Sequence, residues 1–349
     1  MQTIHDLETP SVLIDLDRME NNIARMQGYC DHHGLKFRPH IKTHKIPAIA
    51  RLQLAAGAVG IACQKLTEAQ VFIDAGGIND IQIPYNIVGP QKTARLADMS
   101  LYNRITVSAD HPSVVRGLSE AAAAANVTIR VMVDLETEIE RTGASPAEAV
   151  ELARQIDADD HLHFAGVLVY PSNPSIRPRL QELLDGLHRS GIGVDSVSGG
   201  GTGAALTAHE VPELTELRVG TYVFNDWNTV TAGWADVDDC AMTVMATVVS
   251  CPSTDRAILD SGSKTLAADR VADGHGCILQ YPEARIYKLN EEHAFVDFSA
   301  CDERPVIGER VSIVPVHTCV VTNLHNTIYG VRGETIEEVW EVAARGKVW

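Results

Sequence analysis

Eight short runs of apolar and β-branched residues alternate with longer helical stretches from residue 35 onward, and this alternation constrains the fold most. The runs cover residues 35–42, 60–64, 80–85, 104–109, 128–135, 164–171, 194–200 and 215–223. The segments between them, such as PSVVRGLSEAAAAAN and SPAEAVELARQID, have the composition and starts of N-capped helices. Eight βα units predict an α/β chain folded as a closed (β/α)8 TIM-type barrel, whereas an open doubly wound sheet gives no reason for the count of eight.

An additional strand is predicted at residues 11–17, ahead of the barrel. A helix follows it, and one apolar face of that helix carries Met19, Ile23, Met26 and Cys30. We assign this strand outside the barrel.

Beyond about residue 230 the pattern changes to strands separated by Gly, Pro, Asp and Asn turns, with little helix between them. The strand candidates are AMTVMATVVS, RAILDSG, HAFVDFS, ERVSIVPVHTCVV and TIYGVRG. We therefore predict a barrel domain over residues 18–230 and an all-β domain over residues 231–349, joined through the acidic turn GWADVDDC. Residues 1–17 are added to the all-β domain, because the first strand is expected to pair with it.

Charge and cysteine content exclude several classes of partner. Lys and Arg total 29 against 46 Asp and Glu, and the formal net charge of -17 repels nucleic acid and anionic lipid. The seven cysteines are odd in number, scattered and without a CxxC pair, which favours a reducing cytoplasm over a secreted disulfide framework. No leader pattern and no run of eighteen apolar residues occurs in the sequence, so we predict neither export nor a membrane anchor.

A lysine lies where a barrel enzyme needs its reactive group. Alternation along FRPHIK puts Arg38, His40 and Lys42 on one face of the first barrel strand, with Lys42 at its carboxyl end. Barrel active sites lie at that end, and an apolar surrounding favours the neutral amine that attacks a carbonyl. The alternative is a lysine that ends a strand in solvent, and Lys45 is expected to face elsewhere.

Two glycine-containing segments follow the last barrel strands. VSGGGTG ends the seventh strand and RVGTY closes the eighth, and barrels hold phosphate at these two loops. A short helix beginning near Ala204 would point its N-terminus at the same phosphate. A phosphate at strands seven and eight, opposite an imine-forming lysine at strand one, suits a phosphorylated aldehyde cofactor.

The sequence resembles the D-threonine aldolase and D-serine dehydratase group, which are pyridoxal phosphate enzymes of the alanine racemase-type fold. The matching segments occur in order over nearly the whole chain: LETPSVLIDLDRMENNI, RPHIKTHK, GIACQKLTEA, SGGGTG, ELRVGTYVFND, ILDSGSK, LNEEHA, PVHTCVVTNLHN and WEVAARG.

The resemblance implies that Lys42 binds pyridoxal phosphate as an imine. It implies a phosphate site formed by Gly200, Gly201, Gly220 and Tyr222, with Thr202 also in the cofactor set. His40, Gln64, Arg141 and Tyr170 would line the cofactor. Arg141 suits the ring oxygen or the substrate carboxylate, because a guanidinium binds either acceptor in a bidentate way. The alternative is a surface arginine paired with Glu136, Glu138 or Glu140.

His317 and Cys319 are candidate metal ligands. In VPVHTCVV they are spaced i and i+2 on a predicted strand, so both side chains project to one face. Imidazole with thiolate suits zinc, with water or substrate in the remaining positions. From spacing alone a buried cysteine beside a core histidine is the more usual interpretation. The resemblance implies instead a divalent metal here, zinc or manganese, and makes Lys42 and His317 the catalytic candidates.

Two reaction types remain open at this point. Cys319 matches the dehydratases, since the aldolases carry His-x-Asp, whereas TNLHN, GIACQK with Gln64 and WEVAARG match the aldolases. We predict a D-threonine aldolase-like lyase that converts D-β-hydroxy amino acids to glycine and an aldehyde. The alternative is a D-serine or D-threo-3-hydroxyaspartate dehydratase, which yields a 2-oxo acid and ammonia.

Three further expectations concern class and assembly. A pyridoxal phosphate carrier without turnover is disfavoured, since such carriers lack the additional β-domain. Alanine-type racemisation needs a tyrosine base, for which Tyr281, Tyr287 and Tyr329 are candidates outside any recognised motif. Because a second subunit commonly completes the mouth of such barrels, we expect a homodimer with the active site near its interface.

Overall fold

The computed structural model describes residues 2–349, and the chain divides into two compact units. The barrel unit comprises Met26–Lys42, Ile49–Gly220 and Lys347–Trp349. The β unit comprises the chain up to Arg25, Thr43–Ala48 and Thr221–Gly346.

The chain begins with strand β1 (Ser11–Asp15), and helix α1 (Leu16–His32) follows directly. The strand is two residues shorter than predicted. All four residues predicted on one apolar face of α1 are buried: Met19, Ile23, Met26 and Cys30. The predicted amphipathic helix is therefore confirmed, and burial of its apolar face fixes its orientation.

The eight predicted barrel strands are all present. They are β2 (Lys36–Phe37), β3 (Ile61–Ala62), β4 (Asp80–Asn86), β5 (Arg104–Ala109), β6 (Ile129–Leu135), β7 (Leu162–Val169), β8 (Ser196–Gly200) and β9 (Glu216–Arg218). They pair in parallel in the order β2-β9-β8-β7-β6-β5-β4-β3. A parallel bridge between His40 and Ala62 links the two ends of this path, so the sheet closes into the predicted barrel.

The first and last barrel strands are shorter than predicted. After β2, the chain makes a single bridge at His40, and residues Ile41–Thr43 form a 3-10 helix. Pro39 lacks an amide proton and cannot act as a ladder donor, although hydrogen bonds to the β9 segment continue on either side of it, from Arg38 N to Leu217 O at 3.0 Å and from His40 N to Val219 O at 2.9 Å. After β9 the chain likewise enters a 3-10 helix at Thr221–Val223. Lys42 therefore lies in a turn just beyond its strand.

Helices alternate with the strands as the periodicity predicts. They are α2 (Pro47–Ala55), α3 (Leu66–Asp74), α4 (Pro90–Ser100), α5 (Pro112–Ala125), α6 (Pro146–Asp157), α7 (Arg177–Arg189) and α8 (Trp227–Thr231). Proline occupies the first turn of α4, α5, α6 and α7, where its missing amide proton costs nothing. A capping box between Ser145 and Glu148 begins α6. The two helices predicted around residues 112–126 and 145–157 are thus confirmed.

Charged side chains of alternating sign follow one another inside the barrel, and we call them the charge column (Asp80, Arg38, Glu216, Arg218 and Asp134). At the amino end of the strands, Arg38 Nε donates to Glu216 Oε2 at 2.9 Å and Nη1 donates to Asp80 Oδ1 at 2.8 Å. Both Arg38 and Glu216 are buried. Close pairing offsets the loss of hydration that isolated buried charges would suffer.

The column continues towards the carboxyl ends of the strands through Arg218. This guanidinium is buried and donates to the main-chain oxygens of Ser198 at 2.7 Å and Val169 at 3.3 Å. Burial lowers the pKa of Arg218 to about 10, while the charges of Glu216 and Asp134 act against that shift. Arg218 therefore keeps its charge at neutral pH. It interacts electrostatically with Glu216 towards the amino ends of the strands and with Asp134 towards their carboxyl ends.

The β unit contains the remaining strands. They are β10 (Met242–Ser253), β11 (Arg256–Leu259), β12 (Gly276–Ile278), β13 (Arg285–Leu289), β14 (Ala294–Asp297), β15 (Arg310–Pro315), β16 (Thr327–Arg332) and β17 (Thr335–Glu341). Two short helices interrupt them, α9 (Ser263–Leu266) and α10 (Thr318–Leu324). Strand β1 pairs antiparallel with β10 and parallel with β16.

The prediction of one continuous strand over residues 309–321 is wrong. Strand β15 ends at Pro315, and α10 begins at Thr318. The carboxylate of Asp226 accepts hydrogen bonds from Thr318 N at 3.2 Å and Thr318 Oγ1 at 3.4 Å, and so satisfies a donor of the first turn. This buried carboxylate, 92 residues away in sequence, overrides the β preference of VPVHTCVV.

No helix within residues 2–349 combines the length and the apolar character required to cross a membrane.

Candidate active site

Lys42 and the glycine segment of the seventh barrel strand lie on the same rim of the barrel. Strand β2 pairs with β9, and β9 pairs with β8. In this order His40 N donates to Val219 O at 2.9 Å, and Gly200 is aligned with Arg218. Lys42 follows His40 by two residues. Since neighbouring strands are about 4.8 Å apart, the two segments are separated by roughly 10 Å across this rim.

A histidine and a glutamine beside Lys42 fix one another. The main-chain amide of Lys42 donates to His40 Nδ1 at 3.4 Å, and His40 Nε2 lies 3.1 Å from Gln64 Oε1. Because Nδ1 accepts a hydrogen bond, the proton belongs on Nε2, from which it is donated to Gln64. Gln64 is held in turn through its main-chain amide, which donates to the buried Glu68 carboxylate at 2.6 Å. The imidazole of His40 is thus held in place at the rim.

Two other lysines, Lys45 and Lys264, are engaged elsewhere. Lys45 is buried in the β unit, and its Nζ donates to Ala344 O at 3.3 Å. Lys264 is exposed and pairs with Glu291 at 2.8 Å and Glu292 at 3.0 Å. Lys42 is half-buried at the carboxyl end of the barrel, which is the position that barrel chemistry uses.

The glycine segment Gly200–Gly201 adopts, at Gly201, a backbone conformation that residues with a side chain rarely adopt. Gly201 has φ +118°, in the left-handed region, and follows Gly200 at the end of β8. A Cβ on Gly200 would lie 3.4 Å from the Tyr170 ring. A 3-10 helix, Thr202–Glu210, begins immediately afterwards, so the helix predicted near Ala204 is present in tighter form. The backbone here is open to close approach by an anion.

Gly220 and Tyr222 follow the eighth barrel strand. Gly220 is buried in the barrel unit, two residues beyond the end of β9 and on the same rim as Gly200. Tyr222 is buried in the 3-10 helix Thr221–Val223, which belongs to the β unit.

A cavity of about 480 Å³ opens at the ends of β3, β4, β5 and β6. Its polar lining includes Gln64, Asn86, Lys92, Asp134 and Arg141. The volume suits a small ligand, and the lining supplies both cationic and hydrogen-bonding groups. Gln64 and Arg141, both predicted to line the cofactor, are therefore brought together.

Arg141 is stacked on an aromatic ring rather than paired with its neighbouring carboxylates. Its guanidinium carbon lies 4.7 Å from the centroid of the Tyr170 ring. Glu136 pairs with Arg179 at 2.7 Å, and Glu138 accepts a hydrogen bond from an asparagine side chain at 3.1 Å. Two of the three competing carboxylates thus have other partners. This distance is within the range of a cation–π contact, which leaves the guanidinium N–H groups available for an anion.

His317 and Cys319 lie side by side in the β unit, although not on a strand. His317 is the N-cap residue of α10, and Cys319 is in its first turn. His317 Nδ1 lies 2.8 Å from Asp269 Oδ2, and Cys319 Sγ lies 3.2 Å from Thr43 Oγ1. The hydrogen bond with Cys319 raises the pKa of His317 to about 9, burial opposes the shift, and Asp269 supports it. The imidazole of His317 and the thiol of Cys319 therefore lie next to each other at the start of a helix, and not on the predicted strand.

Comparison with known proteins assigns the chain to a family. Residues 14–226 match the family model for the alanine racemase N-terminal domain, and residues 241–331 match a putative serine dehydratase domain. A D-threonine aldolase from Arthrobacter sp is 34% identical over 97% of this chain and 93% of its own length. The chain belongs to the D-threonine aldolase and D-serine dehydratase-like family. Its relatives in this family include aldolases and dehydratases, both of which are lyases.

Solved structures of this family have the same fold over the whole chain. The D-threonine aldolase from Filomicrobium marinum has a TM-score of 0.89 and 32% identity, and the match covers 100% of both chains. A D-threo-3-hydroxyaspartate dehydratase, described as a cysteine-to-alanine mutant in the metal-free form, has a TM-score of 0.88 and 26% identity. That match covers 98% of this chain and 99% of the dehydratase. The alanine racemase-like fold of this family implies pyridoxal phosphate.

The residues on the barrel rim fit that cofactor. A half-buried lysine, a hydrogen-bonded histidine and an arginine in contact with an aromatic ring share the rim with a glycine at positive φ. An amine can form an imine with the cofactor's aldehyde, and a guanidinium can bind its ring oxygen. Exposed backbone amides can bind its phosphate. The fit rests on these groups' chemistry and shared rim.

The donor pair in the β unit fits a divalent metal of borderline softness. The imidazole of His317 and the thiol of Cys319 are adjacent, and Asp269 contacts Nδ1 of the imidazole. Within residues 2–349 no three or more histidine, cysteine and carboxylate side chains converge as a larger ligand set.

Three acidic residues near these sites escaped the sequence analysis. Asp134 lines the rim cavity, and burial raises its pKa to about 6 although Thr142 Oγ1 donates to it at 2.8 Å. Asp269 and Asp226 lie around the His317 segment. Only Asp134 carried a signal, because it ends a barrel strand in VMVDL. The other two act across long sequence separations.

Proposed function

We propose that this protein is a pyridoxal phosphate- and divalent metal-dependent lyase of the D-threonine aldolase type, which cleaves D-β-hydroxy amino acids to glycine and an aldehyde. The observation that carries the proposal is the position of Lys42 on the same rim as the Gly200–Gly201 backbone. An amine and an anion site in that relation suit a phosphorylated aldehyde. The end-to-end similarity to a D-threonine aldolase supports the choice of reaction.

In this proposal the rim residues bind the cofactor and orient the substrate. Lys42 would hold the cofactor covalently, and Gly200, Gly201, Thr202 and Gly220 would hold its phosphate, with Tyr222 as a further contact. Bound pyridoxal phosphate supplies an electron sink for charge that develops at Cα. Arg141, stacked on Tyr170, would bind the substrate carboxylate or the ring oxygen with both guanidinium nitrogens.

His317 and Cys319 would bind the metal, zinc or manganese. A bound divalent cation lowers the pKa of a coordinated hydroxyl group, which eases removal of its proton. His317 must release the proton held by its raised pKa before its nitrogen can coordinate. When the substrate β-hydroxyl loses its proton and the Cα–Cβ bond breaks, the aldehyde leaves. The bonding electrons remain at Cα, which then takes up a proton to give glycine.

The second candidate function is dehydration, and Cys319 favours it. A cysteine mutant of the related dehydratase is described in a metal-free form, and Cys319 is the thiol beside His317 in this chain. In that reaction Lys42 would remove the α-proton and the β-hydroxyl would leave as water, and the resulting enamine would tautomerise to an imine that water hydrolyses. The products are a 2-oxo acid and ammonia.

Product analysis separates the two candidates. Purified protein is incubated with D-threonine and with D-serine, with and without a chelator. We expect glycine and acetaldehyde from D-threonine, with loss of both when the metal is removed. Pyruvate and ammonia from D-serine, without glycine from D-threonine, would replace the aldolase proposal by the dehydratase.

Location and assembly complete the proposal. We propose a cytoplasmic homodimer with the active site near its interface. All seven cysteines are free thiols, which supports a reducing compartment. Sedimentation at micromolar concentration is expected to give twice the chain mass of 37.8 kDa, and a single-chain mass would contradict the dimer.

A further inference from the structure

We propose that Asp269 is a positioning residue, which fixes the imidazole of His317 so that one defined nitrogen faces the metal. The inference rests on the metal-dependent function proposed above and adds a residue outside the ligand pair. It concerns the carboxylate that contacts Nδ1 of His317.

The contact determines which nitrogen can coordinate. Asp269 Oδ2 lies 2.8 Å from His317 Nδ1, so the carboxylate retains the proton on Nδ1. Nε2 is then the nitrogen with a lone pair available for a cation. A histidine ligand whose far nitrogen donates to a carboxylate is also a stronger electron donor, because the carboxylate stabilises positive charge on the ring.

Asp269 is held in place by a contact of its own main chain. Its carbonyl oxygen lies 2.9 Å from His275 Nδ1, and His275 N donates to Ile286 O of β13 at 3.0 Å. The neighbouring Arg270 is directed to Asp273, at 3.4 Å. The segment that carries Asp269 is thus tied to a strand, and the nearest guanidinium in sequence pairs with a different carboxylate.

The ion pair is too exposed to be explained by stability. The side chains of Asp269 and His317 are each 44% exposed. Exposed pairs of this kind stabilise a fold by about 0–1 kcal/mol, because water screens them. An orienting role does not depend on burial, since it requires only that the ring be held in one rotation and one tautomer.

The test measures metal affinity directly. Full-length protein carrying its cofactor is stripped of metal with a chelator and titrated with Co²⁺ by calorimetry, and the sulfur-to-cobalt absorbance is recorded as a difference spectrum. We expect Asp269→Ala to bind Co²⁺ about 10–100-fold more weakly than the wild type, and Asp269→Asn to fall between them. The unfolding midpoint of the stripped Asp269→Ala protein should match that of the wild type.

A matched control lies in the same loop. Asp273→Asn removes one negative charge from a side chain that is 82% exposed, so it should leave Co²⁺ affinity unchanged. Equal weakening by Asp269→Asn and Asp273→Asn would show a general charge effect and overturn the inference. Wild-type affinity in Asp269→Ala would overturn it as well.

Failure of this inference is distinguishable from failure of the proposed metal site. If the wild type shows the sulfur-to-cobalt band and Cys319→Ala abolishes it, the ligand pair stands whatever Asp269 does. If the wild type shows no such band, the metal site is wrong and the role of Asp269 is overturned with it.

Discussion

The two ends of the barrel interior use similar side chains for different purposes. At the amino end, Arg38 is held between Glu216 and Asp80, and each contact is shorter than 3 Å. At the carboxyl end, Asp134 and Arg141 line an open cavity. The difference lies in the partners: charges at one end neutralise one another, whereas those at the other face space that a ligand can occupy. Burial of a charge therefore does not by itself indicate chemistry.

Loss of the rim lysine should have the largest effect and should not affect stability. Lys42→Ala is expected to lower kcat by about 10⁴-fold or more, as removal of a covalent catalytic group does, and to abolish the visible absorbance of the cofactor imine. The exposed Lys264→Ala should keep both. Persistence of the band in Lys42→Ala would move the imine to another lysine.

Disruption of the amino end should do the reverse. Arg38→Met leaves the buried Glu216 without the guanidinium that pairs with it and removes one of the two arginine partners of Asp80, and we expect the free energy of unfolding to fall by about 3–5 kcal/mol with little change in kcat. Arg104 also pairs with Asp80, at 3.6 Å, but is 60% exposed, so Arg104→Met should cost under about 1 kcal/mol. Urea denaturation measures both. A large loss of kcat in folded Arg38→Met would contradict the view that the charges at the amino end of the barrel serve stability and not catalysis.

A conservative change at the rim should give a moderate effect on activity. Arg141→Lys keeps the charge but loses the flat guanidinium over Tyr170, and kcat/KM should fall by about 10–100-fold. Arg154→Lys, at a 56% exposed pair with Glu151, is the control and should be neutral. Unchanged kcat/KM in Arg141→Lys would return Arg141 to the role of a surface residue.

The smallest effect is expected at Asp134, and it should depend on pH. Burial raises the pKa of Asp134 to about 6, above the ordinary value near 4, so the folded protein binds this proton more tightly than the unfolded chain. The carboxyl therefore costs stability as pH rises from about 4 to about 6, and the full cost is present above that range. Asp134→Asn still accepts from Thr142 and should stabilise the fold by about 1–3 kcal/mol at pH 8.

The stabilisation from Asp134→Asn should shrink as pH falls through 6. Denaturation curves of both proteins at pH 5 and pH 8 measure this. An equal difference at both pH values would contradict the assignment of the effect to this proton.

Local pattern was enough to predict the barrel, because each strand is a short apolar run and the segments between the strands have the composition of helices. It failed where a distant residue decides the local conformation. His317 and Cys319 were found as a pair, but the helix that carries them depends on Asp226, 92 residues earlier. Arg38 was placed on the face of Lys42, yet its partners are 42 and 178 residues away and hold it at the amino end of the barrel. Contacts between residues so far apart in sequence cannot be predicted from local spacing.

The charge column has a consequence for how this family can diverge. Because Arg38 and Glu216 are buried and paired, loss of either one leaves the other as a buried charge without this partner, whereas joint replacement of both by apolar residues of similar volume removes donor and acceptor together. Substitutions at Arg38 and Glu216 are therefore expected to occur together, and homologues should retain both residues or lose both.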